Sequence, residues 1–135
     1  MNHKTRKTIK KRLISLLIFI TTINVSFAQG YISQTIQHDG LIREYSIYVP
    51  ASYDGTTNFP LLFNLHGGGG TIAFHIGIAD MSPIADTANF IVVFPQARPD
   101  PSDGNSFNWI PKVPGTFDDV PFFNSLIDTI ASNYQ

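Results

Sequence analysis

The 135-residue sequence contains no cysteine. This absence excludes disulfides, a thiol nucleophile and a thiolate metal site, so an apolar core must hold the fold together. Basic residues are also scarce after residue 12. This part of the chain contains only three of the nine Lys and Arg residues but all ten acidic residues. The net charge of residues 29–135 is therefore −7. Such a surface repels phosphate backbones and argues against nucleic acid as a partner.

The sequence also lacks an apolar run long enough to cross a membrane. A basic N-terminal stretch precedes residues 13–25, which are mostly apolar, and Ser26-Phe27-Ala28 follows. This order is typical of a secretory signal peptide that is cleaved near Ala28. A membrane anchor is the alternative, but spanning a bilayer takes roughly 20 apolar residues. We therefore predict a signal peptide at residues 1–28, a secreted or periplasmic domain at residues 29–135, and no membrane association after cleavage.

Two strand patterns flank the dipeptide Asp39-Gly40. Asp-Gly is favoured in two-residue hairpin turns because both of its positions need positive φ. Residues 31–38 precede the dipeptide, and residues 41–49 follow it with apolar side chains at every second position. The sequence therefore predicts an N-terminal β-hairpin.

Two continuous apolar runs predict strands that are buried on both faces of a parallel sheet. They are Pro60–Leu65 and Phe90–Phe94. Between them, Ser82-Pro83 predicts a helix start with Ser82 as N-cap, and Asn89 can end that helix in the left-handed conformation. Residues 96–117 are rich in Pro, Asp, Gly, Asn and Ser and predict a long structureless loop, which in a compact domain is functional or disordered.

Helical periodicity follows Asp118 and Asp119. We expect one aspartate to cap this helix and the other to be solvated, rather than a catalytic pair of carboxylates. Apolar residues recur at helical spacing as far as Tyr134. Those predicted as core are Phe122, Phe123, Leu126, Ile127 and Ile130. The order of elements predicts an α/β fold in which the hairpin is the antiparallel edge of a mostly parallel sheet with flanking helices.

The first buried run ends in His66 and four consecutive glycines, Gly67 to Gly70. Glycine loses more backbone freedom on folding than any other residue, so four together need a reason. Open α/β sheets bind ligands at the carboxyl ends of their strands, and glycine N–H groups placed there can stabilise an oxyanion. An HGGG-type motif forms the oxyanion loop of lipases and esterases. A flexible surface turn is the alternative.

Four segments in this order resemble the N-terminal half of secreted α/β-hydrolase esterases of the polyhydroxybutyrate depolymerase and feruloyl esterase type. They are Leu61–Gly70, Asp86–Gln96, Phe107–Trp109 and Phe117–Val120. The resemblance covers about Ile42 to Gln135. It implies an incomplete α/β-hydrolase-like fold and a carboxylic-ester hydrolase of the serine type. The implied substrate is a polyester or a feruloyl or acetyl ester, such as a plant cell-wall ester, and Gly67 and Gly68 are the implied oxyanion donors.

Several other residues are candidates for the site. We expect His66 to orient the glycine loop through hydrogen bonds rather than to act as a general base. Asn108 and Trp109 are candidate substrate-binding residues, and the alternative for Trp109 is to pin the long loop to the sheet. His38 and His75 are isolated, and the histidines and acids show no ligand spacing, so we predict no metal site and no cofactor.

The motif G-x-S-x-G is absent from the sequence. In the esterases that the chain resembles, this motif carries the nucleophile on the strand after the last helix predicted here, and the acid and the histidine come later. Ser106 is the nearest match, but it lacks the second glycine and a preceding strand. We therefore expect a hydrolase that is truncated before its nucleophile and inactive alone.

The alternative is a non-catalytic secreted binding protein built on a degraded hydrolase scaffold. The sequence leaves open which ester is bound and which oligomeric state the protein adopts.

Overall fold

The computed structural model describes residues 30–134, so the predicted signal peptide lies outside the described residues. Six strands, three α-helices and a short 3₁₀-helix (Pro101–Asp103) occur in this part of the chain. The strands are β1 (Tyr31–His38), β2 (Leu41–Tyr48), β3 (Leu61–Phe63), β4 (Ile91–Pro95), β5 (Arg98–Asp100) and β6 (Ser106–Asn108), and the helices are α1 (Ile72–Ile78), α2 (Ser82–Ala88) and α3 (Val120–Asn133). None of these helices is long and apolar enough to cross a membrane.

The predicted N-terminal hairpin is confirmed. β1 and β2 pair antiparallel along their whole length, from Tyr31 opposite Tyr48 to His38 opposite Leu41. Asp39 and Gly40 both adopt positive φ, 49° and 73°, as a two-residue turn requires.

The main sheet is mixed, with the strand order β1-β2-β4-β3. β1–β2 and β2–β4 are antiparallel pairs, and β3–β4 is a parallel pair. The hairpin contributes the antiparallel pairs, whereas the β3–α1–α2–β4 crossover contributes the parallel one. An α/β fold is therefore present, but residues 30–134 do not form a mostly parallel sheet.

β4 is the buried centre of the sheet, as predicted. All five of its residues are buried. On one face Ile91 and Val93 pack with Phe122 and Leu126 of α3, and on the other face Val92 and Phe94 form a second cluster with residues of β2 and α2. Helices on both faces of the sheet remove these apolar side chains from water. Each buried side chain stabilises the fold by roughly 1.5–3 kcal/mol.

β3 is less buried than its sequence predicts. Leu62 is 37% exposed and Leu65 is 41% exposed, so burial of this run on both faces is wrong. The physical reason is position: within residues 30–134, β3 has β4 on one side and no strand on the other. An edge strand presents a row of N–H and C=O groups to which another strand can pair.

Helix boundaries differ from the prediction at two places. α1 was not predicted, although Thr71 caps it by accepting a hydrogen bond from the N–H of Phe74 (3.3 Å). Ser82 is the first residue of α2 rather than its N-cap, and the carboxylate of Asp80 accepts the N–H of Ser82 (2.8 Å). Asn89 does end α2 in the left-handed conformation, with φ of 57°.

α3 packs through fewer residues than its periodicity predicts. Phe122, Leu126 and Ile130 are buried, whereas Ile127 is 44% exposed and Phe123 is half-buried. The assignment of Ile127 to the core is therefore wrong for residues 30–134. Ile127 lines an apolar hollow beside β3, which is the side of the sheet that lacks a neighbouring strand.

The two aspartates before α3 have different environments. Asp118 is exposed and accepts the N–H of Val120 (2.9 Å), the first residue of α3, whereas Asp119 occupies the N-cap position without a side-chain cap hydrogen bond. Asp119 is not the solvated neighbour that we expected. It is buried and pairs with Arg43 of β2 at 2.8 Å, and the Arg43 guanidinium lies 3.7 Å from the centre of the Phe122 ring. This ion pair ties α3 to the sheet.

We predict that Asp119→Asn lowers the free energy of unfolding by about 3–5 kcal/mol, because Arg43 keeps a buried charge without its counter-ion. The measurement is urea unfolding. The matched control is Asp128→Asn, which changes an exposed aspartate on the same helix and should alter stability by about 0.5 kcal/mol or less. Equal effects of the two substitutions would contradict this role of the ion pair.

Candidate active site

The glycine loop, Gly67 to Gly70, begins at the fourth residue after the carboxyl end of β3. β4 runs parallel to β3, and Gln96 and Ala97 follow its carboxyl end. These two residues contact His66: the N–H of Ala97 lies 3.1 Å and Gln96 Nε2 lies 2.9 Å from His66 Nε2. The loop therefore lies at the sheet edge where open α/β folds bind their ligands.

The hydrogen bonds of His66 determine its tautomer. The ring is buried, and its Nε2 accepts the N–H of Ala97, so this nitrogen carries no proton. Nδ1 lies 2.7 Å from the carbonyl oxygen of Gly67 and must therefore donate. Because both ring nitrogens are engaged, His66 has no free nitrogen with which to take a proton from a nucleophile. This geometry agrees with an orienting role, and that role in catalysis stays a prediction.

The carbonyl groups of His66 and Gly67 point into the protein. His66 O accepts the indole N–H of Trp109 (2.7 Å), and Gly67 O accepts both His66 Nδ1–H (2.7 Å) and the N–H of Gly70 (3.0 Å). In a planar trans peptide the C=O and the following N–H point in opposite directions. Fixing these two carbonyls therefore aims the N–H groups of Gly67 and Gly68 away from the ring and the indole.

These two N–H groups are available to a ligand. Within residues 30–134 neither has a hydrogen-bond partner, and both Gly67 and Gly68 are exposed. Two adjacent backbone donors that face outward at the carboxyl end of a strand can bind the negatively charged oxygen of a tetrahedral intermediate.

The four glycines serve different purposes. Gly69 has φ of +71° and donates its N–H to Phe107 O (2.8 Å), and a Cβ on Gly70 would lie 2.9 Å from Gly67 O. A Cβ on Gly67 would meet no atom within 4 Å, and one on Gly68 would lie 3.4 Å from Asn108 Oδ1. The loop itself therefore requires glycine at 69 and 70. At position 67 a side chain would meet open space, and at position 68 it would approach the Asn108 side chain.

Trp109 anchors this loop. Its ring centre lies 5.0 Å from that of His66 and 5.5 Å from that of Phe123 on α3, and its indole N–H is bonded to His66 O. These contacts favour the pinning alternative, and a contact between Trp109 and a substrate stays a prediction.

The predicted structureless loop contains a small antiparallel sheet, β5–β6, so that prediction is wrong. This segment is ordered because Asp100, a fully buried carboxylate, accepts hydrogen bonds from groups of the segment that would otherwise need water as a partner. Asp100 accepts the N–H (2.9 Å) and the hydroxyl (2.6 Å) of Ser102 and the N–H of Lys112 (2.7 Å). The Ser102 hydroxyl contributes most to lowering the pKa of Asp100 to about 2.

Asn108 lies beside the glycine loop in a fixed orientation. Its Nδ2 donates to the carboxylates of Asp100 (3.4 Å) and Asp103 (3.2 Å), which leaves Oδ1 facing Gly68. The structure thus brings together four of the predicted site residues, His66, Gly67, Gly68 and Trp109, with Asn108 at their side. Whether Asn108 contacts a substrate stays a prediction.

Sequence reasoning missed Gln96, a buried residue that bonds to His66. The signal that could have found it is a polar residue directly after the fully buried strand β4, since a buried amide needs partners.

Ser106 does not have the surroundings of a nucleophile. It lies in β6 rather than in a loop, and β5 precedes it in the chain, so the expectation of no preceding strand is also wrong. The three histidines of the described chain bond elsewhere: His38 to Ser125, His66 to Gly67 and His75 to Asn64. No group of three His, Asp or Glu side chains that could hold a metal ion occurs among residues 30–134.

A groove of about 920 Å³ lies between the β1–β2 hairpin and α1. Gln96 and Phe107 contribute to its wall, but Gly67, Gly68 and Trp109 do not. We place the candidate site at the glycine loop because the free backbone donors are there and not in the groove.

The fold is similar to part of three solved esterase structures. An S-formylglutathione hydrolase from Staphylococcus aureus matches at 15% identity (TM-score 0.54, 78% of this chain and 42% of that one). A ferulic acid esterase matches at 21% identity (TM-score 0.54, 81% and 45%), and a thermostable esterase matches at 16% identity (TM-score 0.51, 77% and 31%). The chain thus spans less than half the length of each.

No protein-family model and no curated protein matches the chain. The comparison therefore depends on structural similarity alone. At these identities it shows a fold that this chain shares with part of these esterases.

We predict that alanine is tolerated at position 67 but not at position 70. Gly70→Ala places Cβ against Gly67 O and should lower the free energy of unfolding by about 1–3 kcal/mol. Gly67→Ala meets open space and should change stability by about 0.5 kcal/mol or less. Chemical denaturation of both variants checks this, and the reverse order of stability would contradict the loop geometry.

We predict that Asp100 makes stability depend on pH in the acid range. Its pKa is lowered in the folded state, so its contribution is complete above the ordinary aspartate value near 4 and is lost as the pH falls towards 2. The melting temperature of Asp100→Asn should lie below that of the unmodified protein at pH 7, and the gap should narrow between about pH 4 and pH 2. A gap that stays constant over this range would contradict the assignment.

Proposed function

We propose that the protein is an exported carboxylic-ester hydrolase of the serine α/β-hydrolase type, and that residues 30–134 provide its oxyanion hole. The observation that carries this proposal is the pair of free, outward N–H groups of Gly67 and Gly68 at the carboxyl end of β3. The partial α/β-hydrolase fold supports it. Export is part of the proposal and depends on the sequence pattern of residues 1–28.

In this proposal the glycine loop stabilises charge that develops during the reaction. Attack on an ester carbonyl moves negative charge onto the carbonyl oxygen as the carbon becomes tetrahedral. Donors that are already aimed at that oxygen need no reorganisation, and the loss of one such donor typically costs roughly 3–4 kcal/mol of transition-state stabilisation. The bonds of His66 and Trp109 to the loop carbonyls provide this preorganisation.

We propose that the nucleophile, its histidine and its acid lie in a further segment outside residues 30–134. The free edge of β3 offers a place for that segment. A strand that pairs parallel to β3 would bring its own carboxyl end beside the glycine loop, because carboxyl ends of parallel strands meet at one edge of a sheet. In this proposal the present chain alone catalyses no turnover.

The proposed substrates are polyester, feruloyl and acetyl esters. One structural neighbour is named for ferulic acid, which fits an aromatic acyl group among these candidates. Within the described chain, the two glycines impose no side chain on the acyl group, and the choice among the candidates depends on the segment that carries the nucleophile.

The test is a titration of the ¹⁵N-labelled protein with methyl methylphosphonate, a tetrahedral anion that resembles the intermediate. We predict that the amide resonances of Gly67 and Gly68 shift in a saturable manner. The exposed Gly115 serves as an internal control and should not shift. No response at Gly67 and Gly68, or an equal response at Gly115, would contradict the oxyanion assignment.

Hydrolysis of p-nitrophenyl acetate completes the test. The chain alone should show no turnover above buffer. Turnover that is abolished by Ser106→Ala would contradict the proposal, because it would place the nucleophile within the described residues.

The coding sequence gives a separate test. After codon 135 it should contain a G-x-S-x-G segment in one of its frames. Unrelated sequence after codon 135 would favour a non-catalytic binding protein instead.

A further inference from the structure

Gln96 connects the core of the protein to the glycine loop. It directly follows β4, it is buried, and all polar atoms of its side chain are bonded. Its Oε1 accepts the N–H of Ile72 at the start of α1 (3.0 Å), and its Nε2 lies 3.2 Å from Gly70 O and 2.9 Å from His66 Nε2.

The orientation of this amide follows from its neighbours. The backbone N–H of Ile72 can only donate, so the end of the amide that faces it is the oxygen. The carbonyl of Gly70 can only accept, so the end that faces it is the NH₂ group. The group that faces His66 Nε2 is therefore a donor as well.

This orientation constrains the ring of His66. A donor from Gln96 and the N–H of Ala97 both point at Nε2, so a proton on that nitrogen would face two other protons. The ring proton is thereby held on Nδ1, where it bonds to Gly67 O. That bond holds the carbonyl of the Gly67–Gly68 peptide inward and the N–H of Gly68 outward.

The backbone of Gln96 is fixed from the opposite side. Its N–H donates to Glu44 O of β2 (2.9 Å), and its carbonyl accepts Arg43 Nη2 (3.1 Å), which belongs to the buried pair with Asp119. A continuous series of hydrogen bonds thus runs from the ion pair under α3 through Gln96 and His66 to the glycine loop.

We propose that Gln96 is a positioning residue that sets the tautomer of His66 and so aims the N–H of Gly68 at the oxyanion. The inference depends on the proposed function for its catalytic consequence. The tautomer itself can be measured whether or not an oxyanion binds, so the two proposals can fail separately.

The test is ¹⁵N NMR of the His66 ring in the full chain, assigned by comparison with His66→Asn. In the unmodified protein Nδ1 should give a protonated, pyrrole-like resonance and Nε2 an unprotonated, pyridine-like one. Gln96→Glu places a carboxylate oxygen beside Nε2, which should attract a proton there and make Nε2 pyrrole-like. The matched control, Gln34→Glu, makes the same charge change on β1 at an exposed residue and should leave the ring unchanged.

The phosphonate titration gives the functional consequence. Gln96→Glu should weaken phosphonate binding, measured at the Gly68 amide, by about tenfold or more. The reason is that the N–H of Gly68 would no longer be aimed at the charged phosphonate oxygen, and hydrogen bonds to a charged acceptor are stronger than those to a neutral one. A protonated Nε2 in the unmodified protein, or an unchanged ring in Gln96→Glu, would overturn the inference. The first of these outcomes is decisive even if the variant does not fold. A correct ring without phosphonate binding would overturn the proposed function and leave the tautomer assignment standing.

Discussion

The planarity of two peptide units governs the candidate site. The carbonyls of His66 and Gly67 are held inward by the Trp109 indole, the His66 ring and the N–H of Gly70. Because a trans peptide points its C=O and N–H in opposite directions, these internal bonds present two donors to solvent. A tetraglycine sequence that looks flexible is thereby held in one conformation, in which a Cβ would meet no atom at position 67 and would lie 2.9 Å from Gly67 O at position 70.

The rest of the described fold supports this loop from behind. β4 is buried on both faces and delivers Gln96 and Ala97 to the His66 ring, and the Arg43–Asp119 pair ties β2 to the start of α3. The free edge of β3 and the exposed Ile127 beside it mark the side on which residues 30–134 lack a neighbouring element. The part of this chain that aligns with the solved esterases of similar fold covers less than half of each of them.

Local signals in the sequence predicted the elements that depend on local chemistry. Asp39-Gly40 gave the hairpin and Asn89 gave the end of α2, because positive φ favours few residue types. Contacts between distant residues could not be predicted in this way. Asp119 pairs with Arg43 across 76 positions. Asp100 accepts the N–H of Lys112, twelve residues away, and no sequence periodicity predicts this hydrogen bond. The exposure of β3 depends on which strands are its neighbours, and an apolar run does not carry that information. The glycine loop was located from its motif. The sequence signal for Gln96 is only a polar residue after a buried strand, and its side-chain bonds to His66, Gly70 and Ile72 are seen only in the structure.

Hydrogen exchange at the four loop amides tests the central claim most directly. We predict that the N–H groups of Gly69 and Gly70, bonded to Phe107 O and Gly67 O, are protected from exchange with D₂O. Those of Gly67 and Gly68 should exchange at the rate of an open amide. Protection of Gly67 and Gly68, or equally fast exchange at all four glycines, would show that the carbonyls are not held inward and would contradict the oxyanion assignment.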